Sequence, residues 1–182
     1  KLIYSGEFTI KVAKTEENVT DNYLSSDDVI NVYISGIDSR GGINEVSRSD
    51  VNIIMSVNKK THNILMINTP RDYYVPLSVS NGVRDKLTHA GVYGIECSRN
   101  TLEMLYGIKI DYYVKVNFSG FEKIIDSLGG VDVTLDYSAT LSQAGNLTVH
   151  NGVNHFNGEQ ALAFARERYA YSDGDRQRGR NQ

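Results

Sequence analysis

The sequence predicts an α/β fold in three αβα layers, with a central mixed β-sheet covered by helices on both faces. Two observations predict it. Apolar runs rich in β-branched residues, typical of buried strands, occur at residues 29–34, 51–57, 64–68, 112–116 and 131–135. Segments with helical spacing alternate with them, at residues 89–106, 118–128 and 158–168. Strands that alternate with helices are typical of layered α/β domains.

The chain has 182 residues, a length that fits one domain. Residues 1–28 are mostly polar, with a possible short strand at 8–12, and we interpret them as a lead-in or linker. The main domain is predicted over 29–182. The chain starts without Met and stops inside a predicted helix, so we expect a trimmed fragment with a truncated C-terminal end. No stretch approaches the roughly 20 apolar residues of a membrane span.

The first strands of the main domain lead into polar loops. The run at 29–34 ends in Gly36-Ile-Asp38, a form typical of a buried strand that enters a functional loop. Residues 51–57 and 64–68 flank the turn 58–63 and predict a hairpin. Pro70 should end the second of these strands, because proline supplies no donor to the ladder.

Each predicted helix has an identifiable end. Gly107 should stop the helix at 89–106, and Gly129-Gly130 the helix at 118–128. A last helix should begin at Asp175. Cys97 lies in the first helix; a buried apolar side chain and a reactive thiol are both open, and burial is favoured.

Charge is unevenly distributed along the chain. The formal net charge is −3, which argues against broad, non-specific nucleic-acid binding. Residues 166–180, RERYAYSDGDRQRGR, nevertheless contain five arginines and three acids, and no lysine. Selective use of arginine favours bidentate recognition of phosphate or carboxylate groups.

Two aspartates lie at predicted strand ends. Asp38 follows the first strand and Asp50 precedes the second. Ligands of such folds tend to sit beyond the strand ends, and Mg²⁺ is typically held by one or two carboxylates together with phosphate oxygens and water. The pair is therefore a candidate metal site. The alternative is that Asp38 caps a turn and Asp50 caps or solvates a strand end.

Arginines are the candidate anion-binding residues. Arg40, Arg48 and Arg71 surround the aspartates, and Asp72 could orient the guanidinium of Arg71; surface salt bridges are the alternative. Arg166 and Arg168 are two residues apart, a spacing that does not align side chains on a helix, so the helix should end or loosen there. Arg178 and Gln182 would share one face of a helix that starts at Asp175; a frayed basic helix end is the alternative.

His89, in Lys86-Leu-Thr-His89-Ala90, is either structural or catalytic, and a structural role is favoured. The sequence has no Ser-His-Asp arrangement with a nucleophile elbow, no GxGxxG, no P-loop and no Cys/His cluster suited to zinc.

Together these segments resemble the LytR-CpsA-Psr (LCP) family, in order from about residue 29 to the end. The matching segments are Gly36-Ile-Asp38-Ser-Arg40, Arg48-Ser-Asp50, Thr69-Pro-Arg71-Asp72, Lys86-Leu-Thr-His89-Ala90 with Tyr93-Gly94, Ser127-Leu-Gly-Gly-Val131-Asp132, Gly158-Glu-Gln-Ala-Leu162, Ala165-Arg166-Glu-Arg168, and Gly174-Asp175 with Arg178 and Gln182. Three positions depart from the usual pattern without removing a proposed charge: Tyr169, Ile95 and Asn181.

The resemblance implies a Mg²⁺-dependent phosphotransferase, with Mn²⁺ as the alternative ion. Such enzymes move a glycopolymer, of the teichoic acid or capsular polysaccharide type, from an undecaprenyl-pyrophosphate-linked donor onto peptidoglycan. By this resemblance Asp38 and Asp50 hold the metal, and Asp38, Asp50, Arg71, Arg166 and Arg168 are catalytic. The pyrophosphate-binding set is Arg48, Arg71, Arg166, Arg168, Arg178 and Gln182.

The resemblance also implies where such a protein works. The catalytic domain would lie at the extracellular face of the cytoplasmic membrane, mainly in Gram-positive bacteria, on an N-terminal transmembrane anchor absent from this chain. An apolar tunnel between sheet and helices would house the isoprenyl tail, and no nucleic-acid partner is expected. Two other functions stay open: a non-catalytic module that binds or senses polyprenyl phosphates, and a transcriptional regulator, which the family's historical naming suggests.

Overall fold

The computed structural model describes residues 2–5, 10–14, 23–39, 42–142 and 146–181. The chain divides into two compact units, residues 1–117 and 118–182. Each unit is described by itself. Arg40 and Gln182 lie outside the described residues.

Unit 1 is built on a six-stranded mixed sheet. The strands are β1 (Leu2–Ser5), β2 (Ile10–Lys14), β3 (Val29–Ile37), β4 (Ser49–Asn58), β5 (Ile64–Asn68) and β8 (Tyr112–Val116). Their order across the sheet is β1-β2-β8-β3-β4-β5. β3 and β8 are parallel, and every other neighbouring pair is antiparallel. The predicted α/β class, the mixed sheet and the β4–β5 hairpin are confirmed.

Residues 1–28, interpreted from the sequence as a lead-in, contribute two strands to this sheet. β2 pairs antiparallel with β8, with Ile10 opposite Val116 and Lys14 opposite Tyr112. This pairing gives the backbone of β8 a second hydrogen-bonded neighbour, beside β3. The polar composition of residues 1–28 does not reveal that this segment pairs with β8. The strand predicted at 8–12 thus lies two residues further along the chain, at Ile10–Lys14.

The segment between β5 and β8 is more divided than its periodicity predicts. A short hairpin, β6 (Tyr74–Pro76) and β7 (Arg84–Lys86), is followed by α1 (Leu87–Ala90), a 3₁₀ turn (Gly91–Tyr93) and α2 (Ile95–Tyr106). The single helix expected from residue 89 is interrupted at Gly94, whose φ of +104° is not helical. Gly107, at φ +65°, ends α2 as predicted.

One face of the sheet packs against α1 and α2. Tyr33 and Ile54 from the sheet, Leu87 from α1 and Leu102 from α2 belong to one buried cluster. Cys97, also on α2, is 3% exposed, which confirms the prediction that it is buried. Burial of these side chains is the main stabilising contribution to the unit, at about 1.5–3 kcal/mol for each large one.

The described residues of unit 2 form three helices and two small sheets. Its elements are α3 (Phe118–Ser127), β9 (Val131–Leu135), β10 (Ala139–Leu141), β11 (Leu147–Val149), β12 (Gly152–Phe156), α4 (Gly158–Arg166) and α5 (Asp175–Asn181). β9 pairs antiparallel with β12, and β10 with β11. Phe156 and Phe164, with ring centroids 5.3 Å apart, lie in its core.

Two local contacts define where α4 starts. Asn157 and Gln160 form a capping box, in which each side chain binds the other residue's backbone amide. The amide of Gly158 donates to Asp126 Oδ1 at 2.7 Å, which ties the first turn of α4 to the last turn of α3. No helix among the described residues is long and apolar enough to cross a membrane.

Candidate functional site

Asp50 occupies a β-bulge between β3 and β4. Gly36 faces Val51 and Ile37 faces Ser49, so Asp50 has no opposing residue on β3. An extra residue in one strand bends that strand and changes the direction of its side chain, and bulges often lie beside active sites. The sequence predicted Asp50 at a strand end; the bulge itself appears only in the pairing register.

Arg71 and Asp50 form the central ion pair of unit 1. Arg71 Nη1 donates to Asp50 Oδ1 at 2.7 Å, and each side chain is 24% exposed. Thr88 Oγ1 lies 3.4 Å from the same oxygen. Arg71 Nε contacts Asp72 Oδ2 at 3.4 Å, so two carboxylates orient the guanidinium. Burial acts to lower the pKa of Arg71, but Asp50 and Asp72 outweigh it and raise that pKa.

Asp72 extends this ion pair to Lys86. Lys86 Nζ lies 3.0 Å from Asp72 Oδ1. Burial acts to raise the pKa of Asp72, but the hydrogen bond and charge of Lys86, together with Arg71, hold it below its usual value. The four side chains of Asp50, Arg71, Asp72 and Lys86 are joined in one chain of contacts, which we call the Arg71 network. Two carboxylates and two cations make its formal charge zero.

Asp38 and Arg48 face each other where the β3–β4 ladder ends. The amide of Asp38 donates to the carbonyl of Arg48 at 3.3 Å, and Ser47 Oγ donates to the carbonyl of Asp38 at 3.2 Å. Both side chains are exposed. Their backbones are therefore held together while their charged groups face solvent.

The loop that carries Arg48 is supported from two sides. Lys115 Nζ, on β8, donates to the carbonyl of Glu45 at 2.6 Å. A Cβ on Gly91 would come within 2.5 Å of the Ser47 carbonyl and 2.7 Å of the Ser49 amide. Only glycine allows α1 and the following turn to approach the loop backbone this closely.

His89, in α1, pairs with Asp85, which lies four residues earlier on β7. His89 Nδ1 lies 2.8 Å from Asp85 Oδ2, and that hydrogen bond is the main cause that lowers the pKa of Asp85. Asp85 also accepts the amide of Lys86 at 2.7 Å. These bonds stabilise the start of α1, which agrees with the structural role favoured from the sequence.

In unit 2, Arg166 and Arg168 each lie against an aromatic ring. Arg166 is the last residue of α4, so the helix ends where the two-residue spacing predicted. Its guanidinium lies 4.4 Å from the centroid of Phe118, and that of Arg168 lies 4.8 Å from the centroid of Tyr169. Arg168 Nη2 also donates to the Tyr169 hydroxyl at 2.7 Å. Tyr169, noted from the sequence as a departure, is thus a partner of Arg168.

Glu167, between these arginines, was not singled out from the sequence. It is 0% exposed, and Oε1 accepts the amides of Arg168, Tyr169 and Ala170 at 2.9, 2.7 and 3.2 Å. Three amides on one carboxylate oxygen determine the turn after α4 and therefore the direction of Arg168. The sequence signal that could have identified Glu167 is an acidic residue between two arginines at the end of an apolar helix.

Arg178 lies in α5, which begins at Asp175 as predicted. The amide of Arg178 donates to the carbonyl of Gly174 at 3.1 Å, and Asn181 Nδ2 donates to the carbonyl of Phe164 at 3.3 Å. The second bond joins α5 to α4. Gln182, predicted to share a face with Arg178, lies outside the described residues.

The predicted site residues thus form two groups. Unit 1 holds Asp38, Arg48, Asp50 and Arg71, and unit 2 holds Arg166, Arg168 and Arg178. Within unit 1 the structure brings Asp50 and Arg71 into direct contact and places Asp38 beside Arg48.

The carboxylates of unit 1 suit a hard divalent cation that also binds phosphate. Among the described residues, both contacts of Asp50 use Oδ1, and neither involves Oδ2. The Asp38 side chain is exposed. The described residues contain no group of three or more His, Cys, Asp or Glu side chains arranged for a metal. A site with one or two carboxylates is typical of Mg²⁺, which retains water and phosphate ligands.

Comparison with known proteins identifies the family. The LytR_cpsA_psr family model matches residues 4–182, nearly the whole chain. The chain belongs to the LytR-CpsA-Psr family. This match includes β2, so the family's sequence pattern extends into the segment that was interpreted as a lead-in.

Curated LytR-CpsA-Psr members are similar over almost the whole chain. The teichoic acid transferase TagU of Bacillus cereus is 33% identical over 171 residues, which are 91% of this chain and 53% of the relative. The polyisoprenyl-teichoic acid–peptidoglycan teichoic acid transferase TagT of Bacillus subtilis is 33% identical over 180 residues, 93% of this chain and 55% of the relative. The chain therefore spans about half the length of the curated relatives it matches.

A solved LytR-CpsA-Psr structure has the same fold. The family protein YwtF (TagT), with bound octaprenyl pyrophosphate lipid, superposes with a TM-score of 0.74 at 31% identity. The match covers 92% of this chain and 67% of that one. The mixed α/β fold predicted from the sequence is therefore shown both by the structure itself and by this relative.

Proposed function

We propose that this chain carries the catalytic site of a phosphotransferase that moves a glycopolymer from an undecaprenyl-pyrophosphate-linked donor to peptidoglycan. Family membership and the names of the curated relatives support this activity. The solved relative with bound octaprenyl pyrophosphate supports the donor class. The observation in this chain that carries the proposal is the orientation of Arg71 by two carboxylates.

The geometry of Arg71 leaves donors for a phosphate. Nη1 binds Asp50 and Nε contacts Asp72, while Nη2 takes part in neither contact. A guanidinium has five N–H donors, so Nη2 and the second Nη1 proton remain for phosphate oxygens. Because its two carboxylates already orient the group, little side-chain entropy is lost when the donor binds.

The charge balance around Arg71 supports a role for further cations in the proposed site. The Arg71 network has a formal charge of zero, whereas a pyrophosphate diester is an anion. By the family resemblance, Arg48, Arg166, Arg168 and Arg178 would provide the additional positive charge. Gln182 completes the pyrophosphate-binding set that the family resemblance implies.

Asp38 and Asp50 would hold Mg²⁺, or Mn²⁺ in its place. The ion would neutralise charge on the pyrophosphate oxygens. This part of the proposal is supported by the two carboxylates at the end of the β3–β4 ladder and by the position of Asp50 Oδ2 outside the Arg71 contact.

The proposed reaction is a phosphoryl transfer to a sugar hydroxyl. A sugar hydroxyl of peptidoglycan attacks the phosphorus nearest the polymer, and the bond to the leaving undecaprenyl phosphate breaks. Asp38 or Asp50 accepts the hydroxyl proton. Arg71, Arg166 and Arg168 donate hydrogen bonds to oxygens on which charge develops, a type of stabilisation worth about 10²–10³ in rate for each donor.

The donor lipid determines where this reaction would occur. We place it at the extracellular face of the cytoplasmic membrane, where an anchor outside these 182 residues would hold the domain. The isoprenyl tail would occupy the apolar tunnel expected from the family. Fractionation of cells that express the full-length gene would test this location, and recovery in the cytosol would contradict it.

The test of the activity is a transfer assay with a synthetic isoprenyl-pyrophosphate-linked saccharide and peptidoglycan. We expect Arg71→Gln to lower turnover by about 10²–10³. The matched control is Lys60→Gln, which breaks an exposed ion pair with Asp28 in the same unit. Donor binding without turnover by the wild type would favour a non-catalytic module, and neither binding nor turnover would overturn the proposal.

The metal has a separate test. Thermal unfolding is followed with an isoprenyl pyrophosphate, with and without Mg²⁺. A ligand at about 100 times its dissociation constant adds about 2.7 kcal/mol to the free energy of unfolding. We expect a Mg²⁺-dependent shift that Asp38→Asn abolishes and that Asp27→Asn, at another exposed aspartate of unit 1, leaves intact. An equal shift in both variants would exclude Asp38 as a ligand.

A further inference from the structure

Four buried polar side chains form a hydrogen-bonded cluster inside the core of unit 1. Tyr33 and Ser35 are on β3, and Ser49 and Asn52 are on β4. Each is at most 1% exposed. Buried polar groups are costly unless they are hydrogen-bonded. The proposed reaction uses none of the four, so their presence calls for another explanation.

The hydrogen bonds of this cluster lead to the backbone at the bulge. The Tyr33 hydroxyl donates to Asn52 Oδ1 at 2.7 Å, and Ser49 Oγ lies 2.9 Å from the same oxygen. Asn52 Nδ2 donates to the main-chain carbonyl of Ser49 at 3.3 Å. That carbonyl belongs to the peptide bond that joins Ser49 to Asp50. Ser35 Oγ lies 2.8 Å from Ser49 Oγ and completes the cluster.

Asn52 also connects to the segment that carries Arg71. Its main-chain carbonyl accepts the amide of Thr69 at 2.8 Å. Thr69 follows β5 and precedes Pro70-Arg71. The side chain of Asn52 therefore contacts Ser49, the residue before Asp50. The backbone of Asn52 contacts Thr69, which lies two residues before Arg71.

We infer that the cluster of Tyr33, Ser35, Ser49 and Asn52 is a positioning device that holds the bulge and so keeps Asp50 in contact with Arg71. A bulge residue lacks ladder hydrogen bonds of its own, and the cluster supplies the missing constraint from the buried side of the sheet. The effect on turnover rests on the function proposed above.

The protonation of Tyr33 agrees with its role as a donor. Burial raises the pKa of Tyr33, which favours the protonated hydroxyl that donates to Asn52. Removal of the Tyr33 hydroxyl would leave Ser49 as the remaining hydroxyl partner of Asn52 Oδ1. The amide of Asn52 could then rotate away from the Ser49 carbonyl.

The test compares Tyr33→Phe with Tyr113→Phe in this chain. Tyr113 on β8 faces Tyr33 in the sheet register and lies in the same buried core, but it is not a member of the cluster. The first readout is amide hydrogen exchange of residues 49–52 and 69, which does not depend on activity. Loss of one net hydrogen bond corresponds to about a tenfold change in a local equilibrium. We expect exchange to be about tenfold faster in Tyr33→Phe alone.

The second readout is transfer kinetics. We expect Tyr33→Phe to lower kcat by about tenfold and to change KM for the donor by less than about twofold, since misplaced catalytic groups slow the chemical step. Tyr113→Phe should leave both constants near those of the wild type. A general loss of stability would instead accelerate exchange throughout unit 1, including α2.

The outcomes separate this inference from the proposed function. Faster exchange at 49–52 with no transfer by the wild type would support the positioning role and overturn the proposed activity. Unchanged exchange and unchanged kcat in Tyr33→Phe would overturn the inference while the activity stands. If Tyr33→Phe does not fold, Ser35→Ala removes a different hydroxyl of the same cluster and is subject to the same criteria.

Discussion

Arg71 Nη1 lies 2.7 Å from Asp50 Oδ1, across 21 positions of sequence. Asp50 is the extra residue of a bulge at the start of β4, and Arg71 follows the end of β5. The antiparallel pairing of β4 with β5 brings the start of one strand beside the end of the other. The contact is therefore a direct consequence of the hairpin register.

The energetic coupling of this pair should be measurable in a double-mutant cycle. We expect Asp50→Asn and Arg71→Gln to couple by about 1 kcal/mol in the free energy of unfolding, because both side chains are mostly buried. The same cycle on the exposed pair Lys60–Asp28 should give less than about 0.5 kcal/mol. Urea unfolding measures both. Equal coupling in the two cycles would show that the protein environment adds nothing to the Arg71 contact.

The stability contribution of Asp72 should disappear in acid. Lys86 and Arg71 hold the folded-state pKa of Asp72 below its ordinary value of about 3.9. A lowered folded-state pKa stabilises the protein above the unfolded-state value, and the contribution is lost as the pH falls through the folded-state value. The side chain is 42% exposed, so solvent screening should keep the effect below about 1 kcal/mol.

The measurement for Asp72 is the difference in free energy of unfolding between the wild type and Asp72→Asn. We expect a constant difference between about pH 5 and pH 7 that shrinks below about pH 4. Asp27→Asn, at an exposed aspartate, serves as the control. A difference that grows as the pH falls would contradict the assigned direction of the pKa.

Replacement of Glu167 should disturb the turn that carries Arg168. Glu167→Gln removes the charge that accepts three amides, and we expect a loss of about 1–3 kcal/mol in the free energy of unfolding. Glu159→Gln, an exposed position in the first turn of α4, should change it by less than about 0.5 kcal/mol. Donor affinity should fall only in Glu167→Gln. If the two variants have the same stability and affinity, the buried carboxylate does not hold the turn.

Gly91 should not tolerate a side chain. Gly91→Ala would place Cβ against the Ser47 carbonyl and the Ser49 amide, and the resulting overpacking should cost about 1–3 kcal/mol. Gly42→Ala lies in the same loop region with no atom within 4 Å of the added Cβ, and it should be nearly neutral. Thermal unfolding compares the two. Equal melting temperatures would mean that α1 can move away from the loop at little cost.

Much of the fold was predictable because local patterns determined it. The β-branched run at 29–34, the hairpin at 51–68 and the glycine that ends α2 all follow from side chains within one segment. The element boundaries that the sequence misplaced were not determined by local side-chain patterns. Residues 10–14 become a strand because β8 offers them an edge, and residues 2–5 pair in turn with residues 10–14. The helix expected from residue 89 is interrupted where Gly94 adopts a positive φ.

The sequence alone determined the chemical types of the site residues: two aspartates at strand ends, and arginines in Arg-x-Arg and after Pro70. It also contains the family pattern, which the family model matches from residue 4 to the end. The tertiary structure decided which of them touch. The bulge that selects Asp50, its pairing with Arg71, the buried Glu167 that directs Arg168, and the cluster behind Asn52 all depend on backbone register and burial. Register and burial arise from contacts between distant segments, because hydrogen bonds and packing in the folded chain join residues that no local pattern relates.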